Sequence, residues 1–448
     1  MSQERPREAR AACTHDTSTA GTATCAHLAG PIEWGVKYYK WLTGRGLEAE
    51  RLCVDCTRQR ESGESLDIVS ICQQCWASLE HDLGALQGTR GLPEIRIRST
   101  SIDKRITETL LPWSHDEILD FTPVHAQSES WLFLRSGGIV GRIDADGRAS
   151  DLRAIELPSA EPGHEPFQGH ALTSRLHSSS HGDFATVVND NGKIGMVYDL
   201  TTGAVTMRLD GGDYHPETVP FSFGFVEYRG RTVAVHRTAW NRLDASDAAT
   251  GELLTARSPT HFGRAEPRPE HYLDYFHGRL IVSPDGRRIV DDGWVWHPVG
   301  IPAVWDVETW LGSNVWESED GESKLHLGLR TYYWDHALCW LDADRIALGG
   351  IGDDEEQIVD GVRILSTKPA DASERGSARE LTAFAGPAGI FFSDGNRLFS
   401  VDDAGLSVWE LGDGARIARI DGFRPTRQHL RGRELAELSG MLLRRWRY

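Results

Sequence analysis

Two close cysteine pairs, Cys53-x2-Cys56 and Cys72-x2-Cys75, are the residues of this chain whose types and spacing most directly imply chemistry. Thiolates are the ligands soft divalent metals prefer, and each pair presents two on a tight knuckle. The pairs are separated by residues 57–71, a spacing that lets all four sulfurs reach one tetrahedral ion at about 2.3 Å per bond. Zinc is the expected metal. A site closed by four thiolates has no open coordination position, so it braces a fold too small to build a good core and does not catalyse. Upstream, Cys13-x-His15 and Cys25-x-His27 supply the ligands of a possible second site.

Residues 57–71 between the pairs suit a polar hairpin, and Trp76-Ala-Ser-Leu-Glu-His-Asp-Leu83 reads as a helix opening at the second pair. With those elements, the layout resembles zinc ribbons and treble clefs. Cys25-Ala-His27-Leu28 is similar to the opening of ubiquitin-binding zinc fingers, although the later histidine ligands of that family are missing. Arg51, Arg58 and Arg60 beside the first pair raise nucleic-acid recognition as a reading of the module. The surrounding Glu48, Glu50, Asp55, Glu61, Glu64 and Asp67 work against it.

Composition narrows the classes. The chain has 448 residues, 40% apolar and 25% charged, the balance of a globular protein. A formal net charge of −18 disfavours nucleic-acid binding by the bulk surface. No stretch approaches the roughly 18 apolar residues of a membrane span, and the first thirty residues lack the apolar core of a secretory signal. Seven cysteines with paired spacing suit a reducing compartment, so a cytoplasmic protein is expected. Cys339 is expected as buried packing.

The elements that must carry any site recur along the middle of the chain. A short apolar strand, a Pro/Asp/Asn/Gly turn, a second strand, a third ending in an aromatic and an acid, a Gly turn and a fourth strand follow one another repeatedly. Clear copies are Val197-Tyr198-Asp199, Val304-Trp305-Asp306 and Val408-Trp409-Glu410. Weaker ones sit at Asp144, Asp247 and Ser366, giving steps of 44 to 60 residues. Such units bury their faces only against neighbours, so the pattern calls for radial stacking.

At these residues the chain resembles the WD40 repeat family and other degenerate β-propellers. The Gly-His dipeptide that opens many WD40 blades is absent at a constant spacing: His181-Gly182 and His277-Gly278 have the reverse order. The resemblance implies a mainly β fold, a six- or seven-bladed β-propeller, with a small N-terminal zinc-binding module and a short C-terminal helix. The expected division is a mobile leader (1–30), the zinc module (31–88), a linker or ring-closing strands (89–115), the propeller (116–423) and an Arg-rich amphipathic helix (424–448). That last segment has seven Arg against two Glu, with apolar residues at Leu430, Leu435, Leu438, Leu442, Leu443 and Trp446.

No catalytic residues are assigned. His177-Ser-Ser-Ser-His181-Gly-Asp183 has the residue types of a hydrolase but reads as a strand end and turn. The acidic runs Asp353-Asp354-Glu355-Glu356 and Glu317-Ser-Glu319-Asp320 read as solvated loop tips. Trp294, Trp296, Trp310, Trp316, Tyr332, Tyr333 and Trp334 are expected mainly in the core, some at an exposed rim. The resemblance therefore implies a non-catalytic protein-recognition or scaffolding protein with protein partners, and the cysteine spacing implies Zn2+ as a cofactor. The alternative is a hydrolase- or lactonase-type enzyme with its site in the propeller channel, for which Asp183, Asp335 and His336 are candidates.

Overall fold

The computed structural model describes residues 22–448, apart from 31–34, 43–48, 73–74, 77, 80–82, 84–85, 92–94, 114–115, 127–129, 160, 162, 166, 168–169, 259–266, 336, 353–357 and 369–375. Cys13, His15, Trp34, His336 and the acidic run 353–356 thus lie outside the described residues.

The N-terminal module is a five-stranded sheet of β1 (Thr22–Cys25), β2 (Tyr38–Leu42), β3 (Ala49–Cys53), β4 (Ile68–Ile71) and β5 (Leu86–Arg90), in the order β4-β1-β3-β2-β5. Helix α1 (Ala26–Ala29) leaves β1, and α2 (Val54–Glu61) leaves β3. Two expectations are corrected here. Of the expected leader 1–30, residues 22–29 form β1 and α1; and α2 takes up the start of the expected 57–71 hairpin, as far as Glu61. Cys25, Leu28, Tyr38, Leu52, Cys56, Trp76, Leu79 and Leu83 form the core, with Tyr38 set edge-on to Trp76 at 5.9 Å. Among the described residues these eight buried side chains make a small core for a sheet of this size.

Beyond the module, β6 (Ile106–Leu110) joins a set of seven antiparallel sheets, counted among the described residues. The first holds β7 (Ile118–Val124), β8 (Ser130–Arg135), β9 (Ile139–Ile143) and β10 (Ala149–Ala154). The second holds β11 (Thr173–Ser178), β12 (Phe184–Asp190), β13 (Ile194–Asp199) and β14 (Val205–Asp210). The third is β15 (Phe223–Tyr228), β16 (Arg231–Ala239) and β17 (Arg242–Asp247). The fourth pairs β18 (Phe276–Val282), β19 (Arg288–Val295), β21 (Ala303–Asp306) and β22 (Leu325–His326), and carries a side arm of β20 (Val299–Gly300) and β23 (Arg330–Thr331). The fifth holds β24 (Leu338–Trp340), β25 (Arg345–Ile351), β26 (Val359–Ser366) and β27 (Arg379–Ala385). The sixth holds β28 (Ile390–Ser393), β29 (Arg397–Asp402), β30 (Gly405–Glu410) and β31 (Arg416–Asp421). The seventh is β32 (Arg427–His429), β33 (Glu434–Ser439), β34 (Leu442–Arg447) and the returning β6.

The first strand of each sheet touches the first strand of the next, and the circuit closes. Asp120 on β7 accepts from the Leu176 N–H of β11 at 2.8 Å. The His177 ring of β11 packs on Phe223 of β15 at 5.0 Å. Ser222, before β15, donates to the His277 carbonyl of β18 at 2.9 Å, and Trp340 of β24 donates to Ile281 of β18 at 3.0 Å. Strand β24 packs on β28. Gln428 of β32 donates to Ser393 of β28 at 2.6 Å, and Arg427 of β32 donates to Phe121 of β7 at 2.9 Å. A closed ring of mostly four-stranded antiparallel sheets, each meeting the next through its first strand, is a β-propeller.

The recurring acid has a local cause. Asp199 Oδ1 accepts the N–H groups of Thr201 and Thr202 at 2.7 and 3.2 Å, Asp247 Oδ1 those of Ala249 and Thr250 at 3.0 Å, and Asp306 caps the helix Val307–Gly312 through Thr309 N–H at 2.8 Å. A short carboxylate here turns the chain out of the third strand. The aromatic before it fills the gap between sheets, as Trp305 and Trp409 do at 1% exposure.

The C-terminal helix is a further correction. Residues 424–448 form β32, β33 and β34, and β34 pairs with β6 from Leu442↔Leu110 to Trp446↔Ile106. Chain ends some 340 residues apart thus share one sheet, which removes the open edge a ring would otherwise leave. The arginines of this segment dock within the chain: Arg427 on Asp120, Arg444 on Glu437 and Glu108, Arg445 on Glu434. Residues 96–100 run along the outer edge of β31, through Arg416 N–H to Arg96 O and Thr100 N–H to Ile417 O.

Candidate metal centre

Cys25, His27, Cys53 and Cys56 come together at one end of the module sheet, their ligand atoms all within 4.8 Å of one another. Topology does this. Strands β1 and β3 are parallel neighbours, registered Ala23↔Glu50 and Thr24↔Arg51, so the C-x-H knuckle after β1 and the C-x2-C knuckle after β3 leave the sheet at the same end. Cys25 and Cys53 each stand just before a helix, so His27 and Cys56 turn back over the same point. His27 Nδ1 lies 3.1 Å from Cys56 Sγ and 3.8 Å from Cys53 Sγ, and the Cys53 N–H donates to Cys25 Sγ at 3.4 Å. A tetrahedral ion with bonds of about 2.0–2.3 Å has ligand–ligand edges of about 3.5–3.8 Å, so this donor set fits one with little movement.

The electrostatics agree with a cation at the centre. Cys25 and Cys56 are buried and His27 is exposed. Burial pushes both buried thiols above their ordinary range, and at Cys56 the adjacent Cys25 and Cys53 sulfurs push further in the same direction. Such a cluster cannot ionise unaided, whereas a coordinated divalent ion deprotonates the thiols outright.

The expected Cys53, Cys56, Cys72, Cys75 set is not assembled. Strand β4 runs antiparallel to β1, pairing Thr22↔Ile71 and Cys25↔Ile68, so Cys72 emerges at the end of the sheet away from Cys25 and Cys53. Four residues of strand span about 10 Å, beyond the reach of one ion. Cys72 and Cys75 instead form their own knuckle, with Cys75 N–H on Cys72 Sγ at 3.4 Å. The second expected set, Cys13, His15, Cys25 and His27, is divided as well: Cys25 and His27 belong to the cluster above, and the other two lie outside the described residues. The missed signal was the match of one C-x-H unit to one C-x2-C unit.

The module arginines are engaged locally: Arg60 with Glu50, Arg58 with Asp55 at 3.4 Å, and Arg51 over the Trp76 ring at 5.8 Å. Cys339 is buried, as expected.

Of the channel candidates, the described Asp183 and Asp335 do not converge. A cavity of about 660 Å3 lies between β18, β24, β28 and β32, with Arg279, Asp335 and Asp360 as its charged lining. Asp335 precedes an inner strand, whereas Asp183 follows one in the β11–β12 turn, so they sit at opposite faces of the ring. In the His177–Asp183 stretch, Ser179 Oγ accepts from Phe184 N–H at 3.0 Å and closes that turn. Burial holds the His177 imidazole down at about 3. Of the second acidic run, Glu317 and Glu319 are buried rather than solvated: Glu317 accepts from Asn314 and Ser323, and Glu319 pairs with Arg257.

The aromatic residues divide. Trp310 and Trp294 are buried, and Phe276, Trp294 and Trp334 form a stack with centroids 4.4 and 4.8 Å apart. At the face of the ring holding the β14–β15 connection and the β16–β17 turn, Tyr214 and Trp296 pack on Phe276 at 5.8 and 5.5 Å and stand 46% and 42% exposed, and Tyr332 nearby is 57% exposed. His215 bridges Tyr214 and Trp296 at 4.8 and 5.7 Å. His215, His297, Tyr332 and Asp335, all beside this patch, hold positive φ without being glycine.

No known protein-family model matches the chain, and no curated protein matches its sequence. Among solved structures, a chain of the mitotic checkpoint complex is similar at 14% identity and a TM-score of 0.45, over 80% of this chain and 98% of that one. The β-propeller domain of Cps50 (Swd1) from Myceliophteria thermophila is similar at 12% identity and a TM-score of 0.45, over 76% and 100%. Among the described residues no helix is long and apolar enough to cross a membrane.

Proposed function

We propose that this chain is a non-catalytic, cytoplasmic recognition scaffold: a seven-bladed, WD40-like propeller that binds a protein partner, with a structural zinc ion held by Cys25, His27, Cys53 and Cys56. The observation that carries the reading is the exposed Tyr214 and Trp296 set on the buried rings of Phe276 and Trp294, with the exposed Tyr332 nearby on the same sheet. Aromatic side chains with one face fixed lose little freedom on binding and dominate interface energetics. Strained backbone at four neighbouring positions is stored only where the surroundings enforce it, and such strain concentrates at binding surfaces. With a net charge of −18, the chain favours a partner whose rim is basic, which speeds encounter more than it tightens the complex.

The test is quantitative affinity capture from the host's lysate with full-length chain and with the triple variant Tyr214→Ala, Trp296→Ala, Tyr332→Ala. The reading expects proteins enriched by the native chain to be lost from the variant. Equal recovery by both baits overturns it.

A further inference from the structure

On the face that carries Tyr214 and Trp296, the rings make a corner rather than a flat patch. His215 stands between the two, at 76° to Tyr214 and 86° to Trp296, with centroids 4.8 and 5.7 Å away. Phe276 is the floor: Tyr214 lies nearly parallel to it at 5.8 Å and 20°, Trp296 stands on it at 5.5 Å and 89°, and His215 is 6.5 Å away. Tyr214 and Trp296 are therefore within about 20° of perpendicular to each other as well. Phe276 is buried, whereas each of the three walls keeps close to half its surface in solvent.

The corner is held before anything enters it. His215 takes φ +49°, and Thr218 donates to the His215 carbonyl from its N–H at 3.3 Å and its hydroxyl at 2.9 Å. Trp334 ties that turn to the aromatic stack through its indole N–H on the Thr218 carbonyl at 3.2 Å. His215 Nδ1 donates to Glu217 Oε1 at 3.0 Å, which fixes the ring. Trp296 packs edge-on to Trp294 at 5.1 Å, and Tyr214 rests on Trp240 at 5.1 Å. Walls set in advance leave little freedom to lose on binding.

Charge and shape select the guest. Asp213, next to Tyr214 in the chain, and Glu217 put two carboxylates beside the corner, already engaged by Lys193 and His215, so they supply field more than open acceptors. Arg268 is likewise engaged, over the Tyr272 ring at 4.6 Å. Ring faces attract a cation electrostatically but accept no strong hydrogen bond. The N–H donors of an unmodified ammonium would go unmet against such walls. A planar guanidinium matches one ring face, not perpendicular ones. A trimethylammonium has no donor to satisfy, and its methyl groups point in tetrahedral directions that can meet each wall.

We propose that this corner receives a quaternary ammonium group, the trimethylated lysine side chain of the protein partner. The proposal rests on the scaffold reading and names what that partner presents.

The test is a titration of fluorotryptophan-labelled full-length chain, followed at the fluorine resonance of Trp296, which the Trp296→Phe variant identifies. The probes are N-acetyl-trimethyllysine amide, the same compound with unmodified lysine, its neutral tert-butyl isostere, and phosphocholine. The trimethyl probe is expected to bind saturably in the millimolar range, about five- to tenfold more tightly than the isostere or the unmodified lysine, the factor that one cation–π contact supplies. Tyr214→Ala should weaken it by a similar factor, and Tyr214→Phe, which keeps the ring, should restore it. Absence of binding, or equal binding of the neutral isostere, overturns the proposal on the native chain, whatever the variants do. Tighter binding of phosphocholine overturns the assignment to a lysine. Tandem mass spectrometry of the proteins captured by the native chain and lost from the triple variant separates this proposal from the one beneath it. A trimethylated lysine is expected in them; partners lost in that way that carry none leave the scaffold standing and overturn this inference.

Discussion

His27 is the exposed member of the Cys25, His27, Cys53, Cys56 cluster, and its imidazole lies 3.1 Å from the Cys56 sulfur, whose burial and neighbouring sulfurs oppose ionisation. In the proposed zinc centre, His27→Ala would leave three ligands. Because structural zinc contributes apparent binding energies on the order of 10 kcal/mol to small modules, the variant is expected to lose zinc to a weak chelator that spares the native chain. The quenching of Trp76 fluorescence by acrylamide should then rise, while the propeller's thermal transition stays where it was. Protons act on other histidines. Burial holds His125 at about 4 and His177 at about 3 in the folded chain, against about 6.5 unfolded. Below pH 6.5 the unfolded chain therefore binds protons the folded one refuses. Stability from these groups is complete at neutral pH and is lost as pH falls from about 6.5 toward 4, by up to about 1.4 kcal/mol per pH unit for each histidine. The urea midpoint is expected to fall between pH 7 and 4.5, and His177→Phe, which keeps the ring contact with Phe223, should flatten that fall. At this scale the ligand residues were legible as types, since cysteine and histidine in tight knuckles announce metal chemistry. Their partnership was not, because it depends on which strands run parallel, and a spacing count carries no strand direction.

Among elements, the two short helices Val307–Gly312 and Glu317–Asp320 dock on the third sheet through a buried ionic cluster. Arg257 and Glu319 are each 1% exposed at the side chain, and Arg257 reaches Asp244 Oδ1 at 2.8 Å and Glu319 Oε1 at 2.5 Å, with Trp316 over the guanidinium at 5.2 Å. Arg257→Ala leaves Glu319 buried without its cation, while Asp244 keeps Arg242 at 2.8 Å, so it is expected to cost about 3–5 kcal/mol in urea unfolding, far more than the loss of an exposed pair. Glycine has a comparable veto at Gly389, where φ is +76° and a Cβ would meet the Val401 carbonyl at 1.8 Å; Gly389→Ala should disrupt the β28–β29 pairing. The third-strand turns were readable because aromatic, acid and glycine each do a separate local job there. The C-terminal strands were not. Leu435, Leu438, Leu442 and Trp446 are spaced three or four apart, as on a helix, yet that spacing runs across a hairpin whose turn is Gly440-Met441, with Gly440 at φ +58°. The glycine in mid-run was the available signal, and an apolar count over both strands averaged it away.

The whole ring depends on a strand from before the first sheet returning to the last one. Strand β6 pairs along β34, Trp446 is buried behind it with its indole N–H on the Asp103 carbonyl at 2.7 Å, and residues 96–100 hold the edge of β31. The seventh sheet otherwise has three strands, and β34 would present an unpaired edge. Two truncations therefore separate the module from the closure. Removing residues 1–90 takes away the metal centre and its sheet but leaves every contact of β6, so the propeller's unfolding midpoint is expected to be unchanged. Removing residues 1–111 opens the ring; hydrogen exchange should accelerate first in β33 and β34, and the midpoint should fall. Trp446→Ala tests the same seam without shortening the chain. Emptying a buried tryptophan site costs about 3–5 kcal/mol where neighbours cannot collapse, and Phe399 and Tyr448, packed at 5.8 and 6.0 Å, are themselves fixed by the sheets on either side. If the seam is what makes the ring cooperative, this variant should lower the single unfolding transition of all sheets together. A separate early transition confined to the seventh sheet would instead mean that the sheets unfold one at a time.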